Sequence, residues 1–258
     1  MERIALIGFG EAGRTFVAAG LPAAAAFDLD PAKRSGIAAH DDPAAALIWA
    51  TMVLSLVTAD QALKAACDYA PLLGDGALWC DMNSVAPDTK REAAAAIERT
   101  GACYADVAVM APVEPGRLAV PLLVSGRDAD AVVGRLQAAG FARVRAVGEQ
   151  IGRASAIKMI RSVMVKGIEA LTAEMMLGAR AAGVADEVLA SLGEGWADKA
   201  DYNLERMATH GARRAAEMEE SAKTLAALGV EPVMTRGTVM RQREMGKSSS
   251  PEGEGAEL

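Results

Sequence analysis

Residues 5–13 read ALIGFGEAG, an apolar run that ends in three glycines, Gly8, Gly10 and Gly13, spaced GxGxxG. Few arrangements constrain a chain more. When a strand runs into such a loop and then into a helix, each glycine has a task. Gly8 permits the tight turn, Gly10 lets backbone approach a pyrophosphate, and Gly13 lets helix and strand pack closely. The helix N-terminus then offers N–H groups and the positive end of a dipole to the phosphates. Twenty positions after Gly8, Asp28 ends a second strand-like run, AAAAFDLD, where a carboxylate can accept hydrogen bonds from ribose hydroxyls. A tight turn in an unrelated α/β protein would share the glycines without this acidic residue. The loop therefore predicts dinucleotide binding. Asp28 repels a 2′-phosphate and is followed by Leu29 rather than arginine, so NAD is expected over NADP. Lys33 and Arg34, close downstream, are the residues that would admit NADP.

The first half of the chain alternates in type. The strand-like runs MVLSLV (52–57), ALWCDMNS (77–84), CYADVAVM (103–110), PLLVSG (121–126) and RVRAVG (143–148) are interleaved with Ala-rich helical stretches, among them DTKREAAAAIERTG (88–101). Such alternation predicts the α/β class, with a parallel, helix-covered sheet of Rossmann type. From about residue 151 strand signals cease. Helical segments follow, with breaks expected at Gly193, Gly195, Gly211 and Gly229. The expected organisation is a dinucleotide-binding domain over 1–150, an all-α domain over 151–245 and a disordered Gly/Ser/Pro-rich tail over 246–258.

Composition narrows the partners. The net charge of −7 argues against nucleic acid or an anionic membrane as the main partner. No apolar run approaches the roughly 20 residues that span a bilayer, and no signal-peptide pattern follows Met1, so a cytoplasmic location is expected. Three scattered cysteines without a CxxC suit buried thiols in a reducing compartment, and two histidines offer little for a His-based metal site. No metal is expected.

The stretch GRASAIKMIRSVMVKG (152–167) places Lys158 in an apolar helix. Residues three and four apart share a helix face, so Ser155, Lys158, Arg161 and Ser162 form one polar stripe, with Ile157, Met159, Ile160, Val163 and Met164 covering much of the rest. A solvated polar face opposite a core-facing apolar one is the plain explanation. Chemistry supplies another. Oxidising an alcohol removes a hydroxyl proton as hydride leaves carbon, and a lysine can take that proton if desolvation and a neighbouring cation such as Arg161 lower its pKa. Residues alone leave both explanations open.

Taken with the glycine loop and Asp28, these segments resemble the β-hydroxyacid dehydrogenase family, which includes the 3-hydroxyisobutyrate and 6-phosphogluconate dehydrogenases. The resemblance runs over about residues 3–233 and is nearest to a branch with a short helical C-terminal domain. CDMNSVAPD keeps Asp81, Ser84 and Pro87 of an Asp-x-Ser-Thr-x-x-Pro segment, with Asn83 replacing a hydroxyl. ADVAVMAP keeps Asp106 and Val109 of the substrate loop, while Met110, Ala111 and Pro112 replace its Ser-Gly-Gly. GRASAIKMIRS keeps Gly152 and Lys158 of Gly-x-Gly-x-x-x-Lys-x-x-Asn-Asn, with Arg161 and Ser162 at the asparagine positions. SAKTLAALGVEP retains Lys223 and carries Thr224 in place of an aspartate.

The resemblance implies an NAD(P)-dependent enzyme that moves hydride between a nicotinamide and a small hydroxyacid or related polar alcohol. It implies Lys158 as general acid/base, and cofactor contacts from Gly8, Phe9, Gly10, Glu11, Ala12, Gly13, Asp28, Val57 and Lys223. Substrate contacts are expected from Asn83, Ser84, Met110, Ala111, Arg161 and Ser162; for Asn83 and Ser84 an ordinary helix cap is the competing role. Loss of Ser-Gly-Gly together with gain of Arg161 suggests that a guanidinium holds the substrate carboxylate bidentately. Homodimers through the helical domain are also implied. Two rivals stand beside this reading: imine reduction on the same architecture, against which the retained lysine argues, and a regulatory protein that binds a dinucleotide without turnover.

Overall fold

A computed structural model describes residues 2–34 and 39–247. The chain divides into two compact units between Lys158 and Met159, inside a long helix rather than ahead of it.

The first unit begins β1 (Ile4–Ile7), α1 (Glu11–Ala18), β2 (Ala23–Phe27), α2 (Pro43–Leu47), β3 (Met52–Ser55) and α3 (Ala62–Tyr69). It continues β4 (Leu78–Asp81), α4 (Pro87–Glu98), β5 (Cys103–Val109), a short turn of helix α5 (Val113–Gly116), β6 (Leu122–Ser125), α6 (Ala129–Ala138) and β7 (Val144–Ala146). The seven strands form one sheet in the order β2-β1-β3-β4-β5-β6-β7. Every neighbouring pair is parallel except β5 and β6. Residues 110–121 between those two hold only single turns of helix, too little for a crossover that would return β6 parallel. The Rossmann-type α/β class holds with that one reversal.

Strand sequences read as unbroken apolar runs because both sheet faces are covered. Successive residues of β1 enter opposite cores: Ile4 and Leu6 pack with Met52, Leu54, Phe16 and Phe141, Ala5 and Ile7 with Val53, Trp79 and Tyr69. Phe16 and Phe141 meet edge to face at 5.1 Å.

Helix α7 (Arg153–Ala182) passes through the division. The second unit adds α8 (Ala185–Leu192), α9 (Trp196–Ala227) and α10 (Val233–Lys247), and its described residues hold no strand. Gly211 does not break α9. It sits where α9 crosses α10, and a Cβ there would collide with backbone of Gln242 and lie 2.7 Å from Gly246 Cα. Helix α10 carries order through Lys247, past the expected start of the tail at 246; the rest of that tail lies outside the described residues.

The faces of α7 are a second departure from expectation. Ser162, Lys166 and Glu169 are buried, whereas Ile160, Met164 and Leu171 are exposed. The buried polar groups are matched within the second unit: Lys166 Nζ pairs with Glu217 Oε2 at 2.7 Å, Arg214 Nε donates to Glu169 Oε2 at 2.9 Å, and Gln242 Nε2 to the same oxygen at 3.0 Å. Burying charge is tolerable when it is paired in this way. Of the apolar residues expected to face the core, Met159 does so, and Ile157, Ile160 and Met164 do not.

Candidate active site

Strand order reverses between β1 and β3, because β2 lies on one side of β1 and the later strands on the other. Ligands of open α/β sheets bind at the carboxyl ends of the strands at such a switch point. The glycine loop lies there. Gly8 has φ +91°, and a Cβ on it would sit 2.6 Å from Leu56 O and 3.0 Å from Val57 N; only glycine fits. At Gly13 a Cβ would be 3.0 Å from Gly8 O. Gly10, by contrast, faces open space within 4 Å. It is the N-cap of α1 and no side chain caps that helix.

Asp28 ties the loop to the end of β2. Its Oδ2 accepts from Phe9 N at 2.7 Å and its Oδ1 from Asp30 N at 2.9 Å. A carboxylate has acceptor capacity beyond these two bonds. Arg34, one of the residues that would admit NADP, is engaged locally: Nε donates to Asp28 O at 2.6 Å and Nη2 to Leu29 O at 3.2 Å, with the guanidinium over Phe27. Lys33 lies 3.6 Å from Asp30. The open backbone at Gly10, the uncapped helix end and the carboxylate at Asp28 suit a dinucleotide.

Two strands over, the loop after β4 meets the first turns of α7. Lys158 Nζ donates to Ser84 Oγ at 2.6 Å, and both residues are half-buried. Gly152, φ +92°, lets the start of α7 approach Pro87: a Cβ would lie 2.9 Å from Pro87 Cβ. Asn83 is buried, with Nδ2 donating to Ser55 Oγ at 2.9 Å and to Asp81 Oδ1 at 2.7 Å. Its Oδ1 has no partner among the described residues, so the amide faces the protein with its donors and leaves an acceptor unused.

Beneath this pair lies a polar cluster that the sequence reading missed. Lys90, in α4, is fully buried with Nζ 2.8 Å from Asp81 Oδ1 and 3.5 Å from Asp106 Oδ1. Tyr104 Oη donates to Asp81 Oδ2 at 2.7 Å; burial, and then the two adjacent carboxylates, push its phenol well above the ordinary value. Asp106 accepts from Ser155 Oγ at 2.7 Å, Ser155 N at 3.0 Å and Ser125 Oγ at 3.1 Å. A signal for the cluster was present: Asp81, the last residue of β4, is in register with Asp106 in the middle of β5, and two adjacent buried carboxylates call for a cation.

Other expected residues are placed less closely. Met110 packs beside Ala108, Leu123 and Ala154, Ala111 is exposed, Glu11 is exposed, and Ala12 and Val57 are half-buried. Arg161, Ser162 and Lys223 belong to the second unit. Arg161 is exposed, and Ser162 is buried with Lys166 Nζ at 3.4 Å, so the expected Ser155–Lys158–Arg161–Ser162 stripe is not one solvated face. Lys223 Nζ pairs with Glu220 Oε1 at 2.5 Å. Among the described residues no group of three or more His, Cys, Asp or Glu side chains could hold a metal ion, and no helix is long and apolar enough to cross a membrane.

The family described as the NAD binding domain of 6-phosphogluconate dehydrogenase matches residues 3–132. The chain belongs to the β-hydroxyacid dehydrogenase family. This member's C-terminal part, residues 179–245, matches a family described as a domain of unknown function. A conserved hypothetical protein from Sinorhizobium meliloti is 41% identical, with 98% of this chain and 91% of that one covered and a TM-score of 0.75. A conserved protein of unknown function, noted for structural similarity with 3-hydroxyacid dehydrogenases, is 27% identical over 95% of this chain and 97% of that one, TM-score 0.71. Mycobacterium tuberculosis 3-hydroxyisobutyrate dehydrogenase shares the fold at 18% identity, TM-score 0.75, with 96% and 95% covered.

Proposed function

We propose that this β-hydroxyacid dehydrogenase family member transfers hydride between NAD and a small hydroxyacid or related polar alcohol, with Lys158 as general acid/base. The observation that carries the proposal is the 2.6 Å hydrogen bond from Lys158 Nζ to Ser84 Oγ. It holds an amine at the mouth of the loop after β4, on the same strand-end edge of the sheet as the glycine loop. The nicotinamide supplies the hydride chemistry; the protein binds, orients and handles the proton.

In the oxidising direction Lys158 takes the substrate hydroxyl proton, and in the reducing direction it returns one. Ser84 Oγ fixes the direction in which the amine points and shares the substrate oxygen's hydrogen bonds. Asn83 offers its unused Oδ1 to a donor on the substrate or the nicotinamide ribose. Met110 and Ala111 shape the substrate loop where Ser-Gly-Gly is missing. Arg161, exposed and one turn beyond Lys158 on α7, takes the substrate carboxylate.

Gly8, Phe9, Gly10, Glu11, Ala12, Gly13 and Val57 form the dinucleotide cradle, and Asp28 receives the ribose hydroxyls. NAD is favoured over NADP because Arg34 and Lys33 are both engaged with their own strand end. The working form is a homodimer joined through the helical domain, since Ile160, Met164 and Leu171 recur on one face of α7 and are exposed in the single chain. A cytoplasmic location goes with this reading.

The test is a panel of hydroxyacids, sugar acids and matched neutral alcohols assayed with NAD and NADP at the absorbance of the reduced nicotinamide. Turnover of an acid with NAD is expected; binding of NADH without turnover of any compound supports a regulatory protein instead.

A further inference from the structure

The mechanism above uses Ser84 and Lys158 but not the buried cation beneath them. Lys90 Nζ has three hydrogens and three oxygens around it: Asp81 O at 2.6 Å, Asp81 Oδ1 at 2.8 Å and Asp106 Oδ1 at 3.5 Å. Each carboxylate then holds one half of the proposed catalytic pair. Asp81 Oδ1 accepts from Asn83 N at 3.0 Å and Asn83 Nδ2 at 2.7 Å, which fixes the residue before Ser84. Asp106 accepts from both Ser155 Oγ and Ser155 N, which fixes the turn of α7 that leads to Lys158. Asp81, the last residue of β4, is in register with Asp106 in the middle of β5, so without a cation the two buried carboxylates would repel.

We infer that Lys90 is a positioning residue: by drawing Asp81 and Asp106 together it sets the distance between Ser84 Oγ and Lys158 Nζ. A buried ion cluster is weak evidence for stability, since well-packed apolar residues generally serve that end as well. Its distinguishing property here is geometric. The loop after β4 and the start of α7 are far apart in sequence, and both hang from one ammonium group. The inference rests on the reading of Lys158 as the acid/base.

The test compares Lys90→Met, Ser155→Ala, Lys158→Met and the unaltered chain. Labelling by an amine-reactive ester, resolved by peptide mass spectrometry, reports the Lys158 amine directly, with exposed Lys223 as internal control. Turnover of whichever panel substrate is active, NADH binding by fluorescence and thermal unfolding complete the measurements. In Lys90→Met the labelling of Lys158 is expected to rise about threefold or more while Lys223 is unchanged, and kcat to fall at least about tenfold with KM and NADH affinity within about threefold. Ser155→Ala, which keeps the cation and removes one link, shows the same changes to a smaller extent and carries the test if Lys90→Met does not fold. Lowered thermal stability with Lys158 labelling and kcat per folded molecule unchanged in both variants overturns the positioning role. Retained turnover in Lys158→Met overturns the catalytic reading itself; lost turnover there beside unchanged Lys90→Met and Ser155→Ala overturns only the role of Lys90.

Discussion

Lys158 Nζ and Ser84 Oγ lie 2.6 Å apart, joining the first turns of α7 to the loop that follows β4. Seventy-four residues of sequence separate them, yet Gly152 lets their elements touch and the Asp81–Lys90–Asp106 cluster braces both sides. Removing the hydroxyl with Ser84→Ala leaves the amine in place but unaimed. A hydrogen bond to a charged group contributes about 1.5–3 kcal/mol, so kcat is expected to fall about tenfold or more. Affinity for NADH, measured by fluorescence titration, should be unchanged.

Two glycines of the same loop separate stability from binding. A Cβ at Gly8 meets Leu56 O at a left-handed φ, whereas one at Gly10 meets nothing. Gly8→Ala is therefore expected to cost about 1–3 kcal/mol in urea unfolding through backbone strain and displacement of β3. Gly10→Ala should leave stability within about 0.5 kcal/mol, as for surface changes generally. It should nevertheless weaken dinucleotide binding about tenfold or more, because the methyl group occupies the space a pyrophosphate needs.

The glycine loop was legible because three glycines at two fixed spacings and one acidic residue must all be met to form it, and the sheet was legible because strands covered on both faces carry unbroken apolar runs. The face of α7 was not. Spacing along a helix groups residues by side but does not say which side is inward, and here buried polar residues share the inward face with Met159, Ala170 and Ala173 while Ile160, Met164 and Leu171 point out. Ser162, Lys166 and Glu169 turn in because Glu217, Arg214 and Gln242 on α9 and α10 answer them, and those partners lie tens of residues away. Lys90 was hidden for the same reason: in DTKREAAAAIERTG it reads as one charge on a solvated helix, and only the register of β4 with β5 shows the two carboxylates it serves. Gly211 likewise reads as a breaker until α10 is laid against it.

The N-terminal segment carries a pH-dependent contact. Glu2 accepts from Arg135 Nε at 2.7 Å and Nη2 at 2.9 Å, and from Thr51 Oγ1 at 2.8 Å. The hydrogen bond from Arg135 is the main cause that holds its carboxyl below the usual value near 4.5, against a smaller opposing effect of burial. A lowered folded-state pKa gives stability that is present above the unfolded value and is lost as pH falls through the folded one. Glu2→Gln is thus expected to cost about 0.5–1 kcal/mol at neutral pH, a modest figure because the pair is partly solvated. In urea titrations the gap to the unaltered chain should close on acidification below about pH 4.5. A gap that stays constant into acid would assign the cost to packing.

Exposed Ile160, Met164 and Leu171 form an apolar stripe along α7. Replacing Met164 and Leu171 together by Glu should convert the proposed dimer to monomers in analytical ultracentrifugation, because charge at the centre of an apolar interface is strongly unfavourable. Helical content by circular dichroism should be retained, since neither side chain contributes to the buried face.

The most direct measurement of the central claim is the turnover of Lys158→Met against its affinity for NADH. With Lys158 as the acid/base, kcat with the active hydroxyacid is expected to fall at least about a hundredfold, the usual share of a general acid/base, while NADH binds as before. Turnover within a few fold of the unaltered chain, or loss of NADH binding in step with activity, would contradict the acid/base role.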